Sequence, residues 1–291
     1  MAGHELTPLV DESAFLGLGD AVHGGGSLGS TARGELAATL ERYAGSARDL
    51  GATSIVLLGT EPLRRAADAA RIVHEVGRAT GVPFHVLSHE EEAYLTLIGV
   101  TEARPVRHET LVIDIGGGSS EFAFVGPGDR ARAMGLRLGS AWLTQKHVRH
   151  DPPTPDEIAA MTLSARELLA DAGAALPHEI VGVGGTASNL VKLLPDAFLD
   201  RTLTRERIAE IQSLLVTQTA AAVAERYLVK PIRARLLPAG AAVIDAILER
   251  YRLDVMRVSK ASLREGAILA VLHAGPSWRD RLSVLAHGWR S

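Results

Sequence analysis

The run Thr110–Val125, TLVIDIGGGSSEFAFV, constrains this chain more than any other stretch. Two apolar segments, Leu111–Ile115 and Glu121–Val125, flank a glycine-rich turn and read as a hairpin. Gly116, Gly117 and Gly118 permit positive φ and let amide N–H groups converge on an anion with no Cβ in the way. Asp114 leaves the end of the first strand beside this turn, where a carboxylate can meet a metal ion or its water shell. Glu121 opens the second strand. Tight turns commonly contain glycine, so an ordinary hairpin is the bland alternative. Three consecutive glycines with an acid at each end favour a phosphate grip in an enzyme-like α/β fold.

The flanking sequence reads as two α/β halves. Gly34–Leu50 is helical, with Leu36, Leu40, Tyr43, Ala47 and Leu50 on one face. Ser54–Leu58 is a short buried strand, followed by a helix from Pro62 to Thr80, a strand at Phe84–Leu87 and a helix at Glu90–Val100. The polar, Pro-containing run Thr101–His108 breaks periodicity and marks the lobe boundary, giving domains 1–107 and 108–291. Beyond the hairpin come a strand near Arg132–Leu138, a helix opening at Thr154-Pro155-Asp156-Glu157 with capping-box spacing, and a strand at Ile180–Val183. Long helices near Thr204–Ala224 and Gly240–Tyr251, a strand at Val255–Ser259 and a helix at Leu263–His273 complete the pattern. The tail carries Trp278 and Trp289.

Three further segments bear on chemistry. Gly182–Asn189, GVGGTASN, is a second strand–glycine–helix junction, and helix N-termini suit phosphate. Close helix–strand packing explains it equally well in isolation. Thr60 and Arg64 follow a buried strand, at the carboxyl end where open α/β sheets bind ligands; Arg there suits bidentate phosphate contact, or else a solvated helix start. Ser88-His89-Glu90-Glu91-Glu92 puts three carboxylates at a strand-to-helix transition. Consecutive helical residues diverge, so one can face a site and activate water, while the helix dipole accounts for the others.

Composition narrows the classes. A net charge of −3 gives no global basic field, so nucleic acid is not an expected partner. The chain has no cysteine, which removes disulfides, thiolate metal sites and thiol nucleophiles. No apolar run reaches the roughly 18 residues of a membrane span, and the N-terminal residues lack signal-peptide character; a cytoplasmic location is the default expectation.

In order along the chain, strand-GTxxLR, SxxEEA, VIDIGGGSSE, GVGGT, Leu237-Pro238-Ala239-Gly240-Ala241 and Leu263-Arg264-Glu265-Gly266 resemble the exopolyphosphatase / guanosine pentaphosphate phosphohydrolase (Ppx/GppA) family. The likeness runs from about Phe15 to Val271. It implies an α/β fold of two ribonuclease-H-like lobes of the actin / sugar kinase superfamily around a cleft. It also implies Mg²⁺ dependence and hydrolysis of a terminal phosphoanhydride of inorganic polyphosphate or guanosine pentaphosphate. Matched position by position, it assigns Glu92 as the general base, Asp114 as a metal ligand, and Glu121 as a metal- or water-orienting group. Thr60, Arg64, Gly116, Gly117, Gly118, Ser119, Gly184, Gly185 and Thr186 become phosphate contacts.

Some positions depart from the family pattern. Nothing like the first phosphate loop, D-x-G-S-N-S, occurs before Phe15, and LTPLVDESAFLGLGD falls where the third strand should be; the first lobe is therefore expected to be N-terminally truncated. His89 stands where Gly is usual, Asp68 where Asn is usual, and Arg235 where Asp is usual. The retained acids favour a phosphohydrolase; the missing loop favours a non-catalytic sensor of phosphorylated ligands. Arg104, Arg107, His108, Arg130, Arg132 and Arg137 are cations that could guide a polyanion. Dimers are common among two-lobed cytosolic enzymes, so a homodimer is one option, although no interface patch is legible.

Overall fold

The computed structural model of this protein describes residues 6–22, 26–173 and 175–288. The chain divides into two compact units, Met1–Ser88 and His89–Ser291. The division falls before the helix His89–Thr101, not after residue 107 as the polar run suggested. That helix has Leu95, Leu97 and Ile98 fully buried and packs on strands and helices of the second unit. A break in hydrophobic periodicity is a poor boundary marker when the preceding helix is itself core.

In the first unit, β1 (Leu57–Gly59) pairs in parallel with β2 (Phe84–Val86), Gly59 opposite Val86. A parallel pair needs a crossover, and the helices Glu61–Arg65 and Ala69–Thr80 provide it. Leu36, Leu57, Leu63, Ile72, Val76 and Phe84 form the core beneath the helix Ser30–Asp49. The single helix expected at 62–80 is broken at Ala66–Asp68. Asp68 Oδ1 accepts from Leu28 N at 2.9 Å and Oδ2 from Arg33 at 2.9 Å, tying the break to the start of the Ser30–Asp49 helix. These bonds, the Leu28 amide foremost, hold the Asp68 carboxyl below its ordinary range. The family's third strand does not form among described residues 6–22. A short helix, Leu18–Ala21, occurs there, and Leu9, Val10 and Phe15 remain exposed.

The second unit contains the strands β3 (Thr110–Ile115), β4 (Ser120–Val125), β5 (Arg132–Leu136), β6 (Glu179–Val183), β7 (Thr202–Thr204) and β8 (Val255–Val258). They form a six-stranded mixed sheet in the order β5-β4-β3-β6-β8-β7. Side chains alternate across the sheet. Leu111, Ile113, Ile115, Phe122 and Phe124 join the core shared with the helices Pro155–Leu169 and Leu237–Tyr251. Asp114 and Glu121, directly opposite each other in the β3–β4 register, are the alternate residues. They therefore belong to the other face, where the His89–Thr101 helix packs against β3, β4 and β5.

That helix is fixed by a close crossing with the helix Leu263–Ala274. A Cβ on Gly266 would collide with Leu95 O, and one on Gly99 with Ser262 O. This is the packing content of the LREG segment. Trp278 is buried, whereas Trp289 lies outside the described residues. Among the described residues no helix is long and apolar enough to cross a membrane.

Candidate active site

Asp114, near the end of β3, stands opposite Glu121, near the start of β4, and Glu92 is close enough for its charge to act on Asp114. Of the carboxylates that open the His89–Thr101 helix, Glu90 is exposed, Glu91 pairs with Arg279, and Glu92 is buried. The 100° step between helical residues separates them in this way. Asp114 is half-buried. Burial first, then the charges of Glu121 and Glu92, push its carboxyl up to about 7. Ionisation of Asp114, in a partly dry site near two other acids, is disfavoured. A cation among them would restore it.

Glu121 is almost fully buried, and its Oε1 is held twice. Ser119 Oγ donates to it at 2.7 Å, and His89 Nδ1 lies 2.8 Å away. Asp114 is held by shape. Gly184 has φ +83°, and a Cβ there would collide with Asp114 Oδ1. The glycine that begins the helix Gly184–Leu190 is thus the floor on which the aspartate rests.

The glycine loop works differently from the sequence expectation. None of Gly116, Gly117 and Gly118 has positive φ. Gly116 is small because a Cβ would stand 2.9 Å from Ser119 O, its own hydrogen-bond partner across the turn. The loop's carbonyls face a helix that the sequence did not reveal, Ser140–His147. Gly116 O accepts from Ser140 N at 3.0 Å, and Gly117 O accepts from Ala141 N at 2.8 Å and Trp142 N at 3.1 Å. Its N-cap residue, Gly139, has no side chain to cap it; the loop satisfies its first N–H groups. Gly139 permits the approach, since a Cβ there would meet Gly117 O.

Ser140 links the two glycine turns. Its Oγ lies 3.3 Å from Gly116 O and 3.4 Å from the hydroxyl of buried Thr186. A Cβ on Gly240 would meet the Thr186 methyl, which accounts for the glycine in the LPAGA segment. Three residues near the site had no role legible in the sequence: Arg233, whose guanidinium carbon lies 3.4 Å from where a Cβ on Gly185 would stand, Ser140 and His89. Arg233 sits in the short helix Pro231–Ala234, with no periodic signal around it.

The structure therefore gathers Glu92, Asp114, Glu121, Gly116, Gly117, Gly118, Ser119, Gly184, Gly185 and Thr186 in one region of the second unit. Thr60 and Arg64 stand at the carboxyl end of β1 in the first unit. Thr60 begins the Glu61–Arg65 helix, and Arg64 donates to Leu87 O at 3.1 Å just past β2. Among the described residues, no set of three or more His, Cys, Asp or Glu side chains is arranged to hold a metal ion by itself. Mg²⁺ ordinarily takes one or two carboxylates, completing its shell with water and substrate phosphate. Asp114 with Glu121 fits that donor set.

The mixed α/β sheet and its glycine turns define a protein of the actin-like ATPase fold. In particular, the chain belongs to the Ppx/GppA phosphatase family, which it matches over residues 1–274. It is 28% identical over 237 residues to a Vibrio cholerae protein named guanosine-5'-triphosphate,3'-diphosphate pyrophosphatase, covering 79% of this chain and 47% of that one. The chain thus spans about half the length of that relative. It is 27% identical over 282 residues to exopolyphosphatase 1 of Mycobacterium tuberculosis, covering 93% of this chain and 82% of that protein. Among solved structures, the Aquifex aeolicus Ppx/GppA family member superposes with a TM-score of 0.80 at 25% identity, covering 94% of this chain and 91% of that one. An exopolyphosphatase from Cytophaga hutchinsonii shares the fold, with a TM-score of 0.80 at 22% identity, covering 91% and 89%.

Proposed function

We propose that this protein hydrolyses a terminal phosphoanhydride of inorganic polyphosphate, guanosine pentaphosphate or both, by Mg²⁺-assisted attack of water. Asp114 stands directly opposite Glu121 across the β3–β4 hairpin, and the helix packed against those strands carries buried Glu92; this acid cluster carries the reading. Such a cluster suits a cation and a polyanion better than it suits an apolar ligand.

Bound Mg²⁺ would neutralise charge on the phosphates, with Asp114 and Glu121 as its protein ligands. Glu92, buried at the start of its helix, is the base that receives the water proton. As the water oxygen bonds to the terminal phosphorus, the bridging P–O bond breaks. The shortened chain leaves with the bridging oxygen. The turn at Gly116–Ser119 and the turn at Gly184–Thr186 give backbone close to the phosphates, and Thr60 and Arg64 are the contacts the family resemblance assigns. Phosphoryl transfer asks for positioning and charge neutralisation more than covalent help.

Phosphate release measured from polyphosphate and from guanosine pentaphosphate, with Mg²⁺ and with chelator, tests this reading. Release with Mg²⁺ on either substrate is the expected result. Tight binding of both without release would instead identify a phosphate or nucleotide sensor.

A further inference from the structure

We infer that His89 is a positioning residue that sets the orientation of the Glu121 carboxylate; its catalytic consequence rests on the hydrolase reading above. Three elements converge on this contact. Glu121 lies in β4, and its register partner across to β5 is Gly135. His89, the first residue of its helix, lays its ring over that glycine. A Cβ on Gly135 would overlap the His89 ring and stand 2.6 Å from the His89 Cβ. The empty side of Gly135 is therefore the seat of the imidazole. From that seat Nδ1 reaches Glu121 Oε1 at 2.8 Å, the same oxygen that accepts from Ser119 Oγ at 2.7 Å. A carboxylate oxygen only accepts, so both neighbours donate. Two donors from different directions on one buried oxygen fix the carboxylate plane, and a carboxylate free to rotate would hold a cation less well.

The test is a double-mutant cycle between His89 and Gly135, read as kcat and as the Mg²⁺ concentration giving half-maximal rate, with thermal melts to verify folding. His89→Ala is expected to raise the Mg²⁺ requirement or lower kcat by about 10–100-fold, the usual effect of losing an outer partner of a metal ligand. His89→Asn, which keeps a donor near the Nδ1 position, should recover most of the loss. Gly135→Ala should mimic His89→Ala by unseating the ring, and should add nothing in the His89→Ala background. A harmless His89→Ala, or a Gly135→Ala defect that is undiminished when His89 is gone, overturns the proposal. If the wild-type chain releases no phosphate, the hydrolase reading fails while this one is still decided by ¹H–¹⁵N spectra of the His89 imidazole. The Nδ1 resonance must then move in both Glu121→Gln and Gly135→Ala, and an unmoved resonance rejects the contact.

Discussion

Asp114 is placed by a residue that lacks a side chain. The left-handed backbone at Gly184 leaves room for its carboxylate where any Cβ would collide. The acid is thereby kept beside Glu121 and Glu92, at a cost to stability whose sign can be worked out. Its folded value of about 7 lies above the ordinary 3.8. The fold therefore disfavours the ionised form, with no penalty below pH 4, a growing one as pH rises, and the full penalty above pH 7. In chelator, Asp114→Asn should stabilise the protein at pH 8 by on the order of 2 kcal/mol, read as a higher melting temperature, and leave it unchanged near pH 4. The same substitution should abolish phosphate release. Equal melting of the two proteins at pH 8 would show that Asp114 is not electrostatically crowded.

At the scale of elements, the acids depend on how one helix crosses another. Gly266→Ala would drive a methyl group into Leu95 O, and overpacking of this kind costs about 1–3 kcal/mol. Because the displaced helix carries Glu92, melting temperature and turnover should fall together. Thr154→Ala is the contrasting case. Thr154 and Glu157 form a reciprocal capping box on the Pro155–Leu169 helix. Burial would raise the Glu157 carboxyl, but the Thr154 and Arg149 amides and His150 outweigh it and hold it at about 2. Removing the cap should lower stability by about 1 kcal/mol without changing the rate. This cap was legible in the sequence because its partners lie three residues apart. The hairpin was legible because alternation and glycines coincide. The Ser140–His147 helix was not, since its N-terminus is satisfied by carbonyls of Gly116 and Gly117, remote in sequence. The break at Asp68 was hidden for the same reason, its partners being Leu28 and Arg33.

At the scale of the molecule, charge is distributed locally. The cations that could guide a polyanion do not form one group. Arg104 pairs with Glu102, the His108 ring meets that of His178 at a tilt, and Arg137 lies over Trp142. Arg130 and Arg132 line a cavity of about 440 Å³ with Glu109, Phe124 and Leu176. That cavity also touches Thr110 and Val125, at the end of the β3–β4 hairpin away from Asp114. A double Arg130→Ala, Arg132→Ala variant should therefore keep its rate on short substrates, and a large loss there would require a different path to the acids. The family was readable in the order of short motifs, whereas the unit boundary was not, because the His89–Thr101 helix is core on nearly every side and carries no amphipathic signature. In the proposed mechanism Glu92 activates water and does not hold the substrate. That role is tested most directly by measuring binding and single-turnover phosphate release in the same Glu92→Gln sample. Binding close to that of wild type with release slowed by about 10²–10⁴-fold is the predicted result; release at the wild-type rate would contradict it.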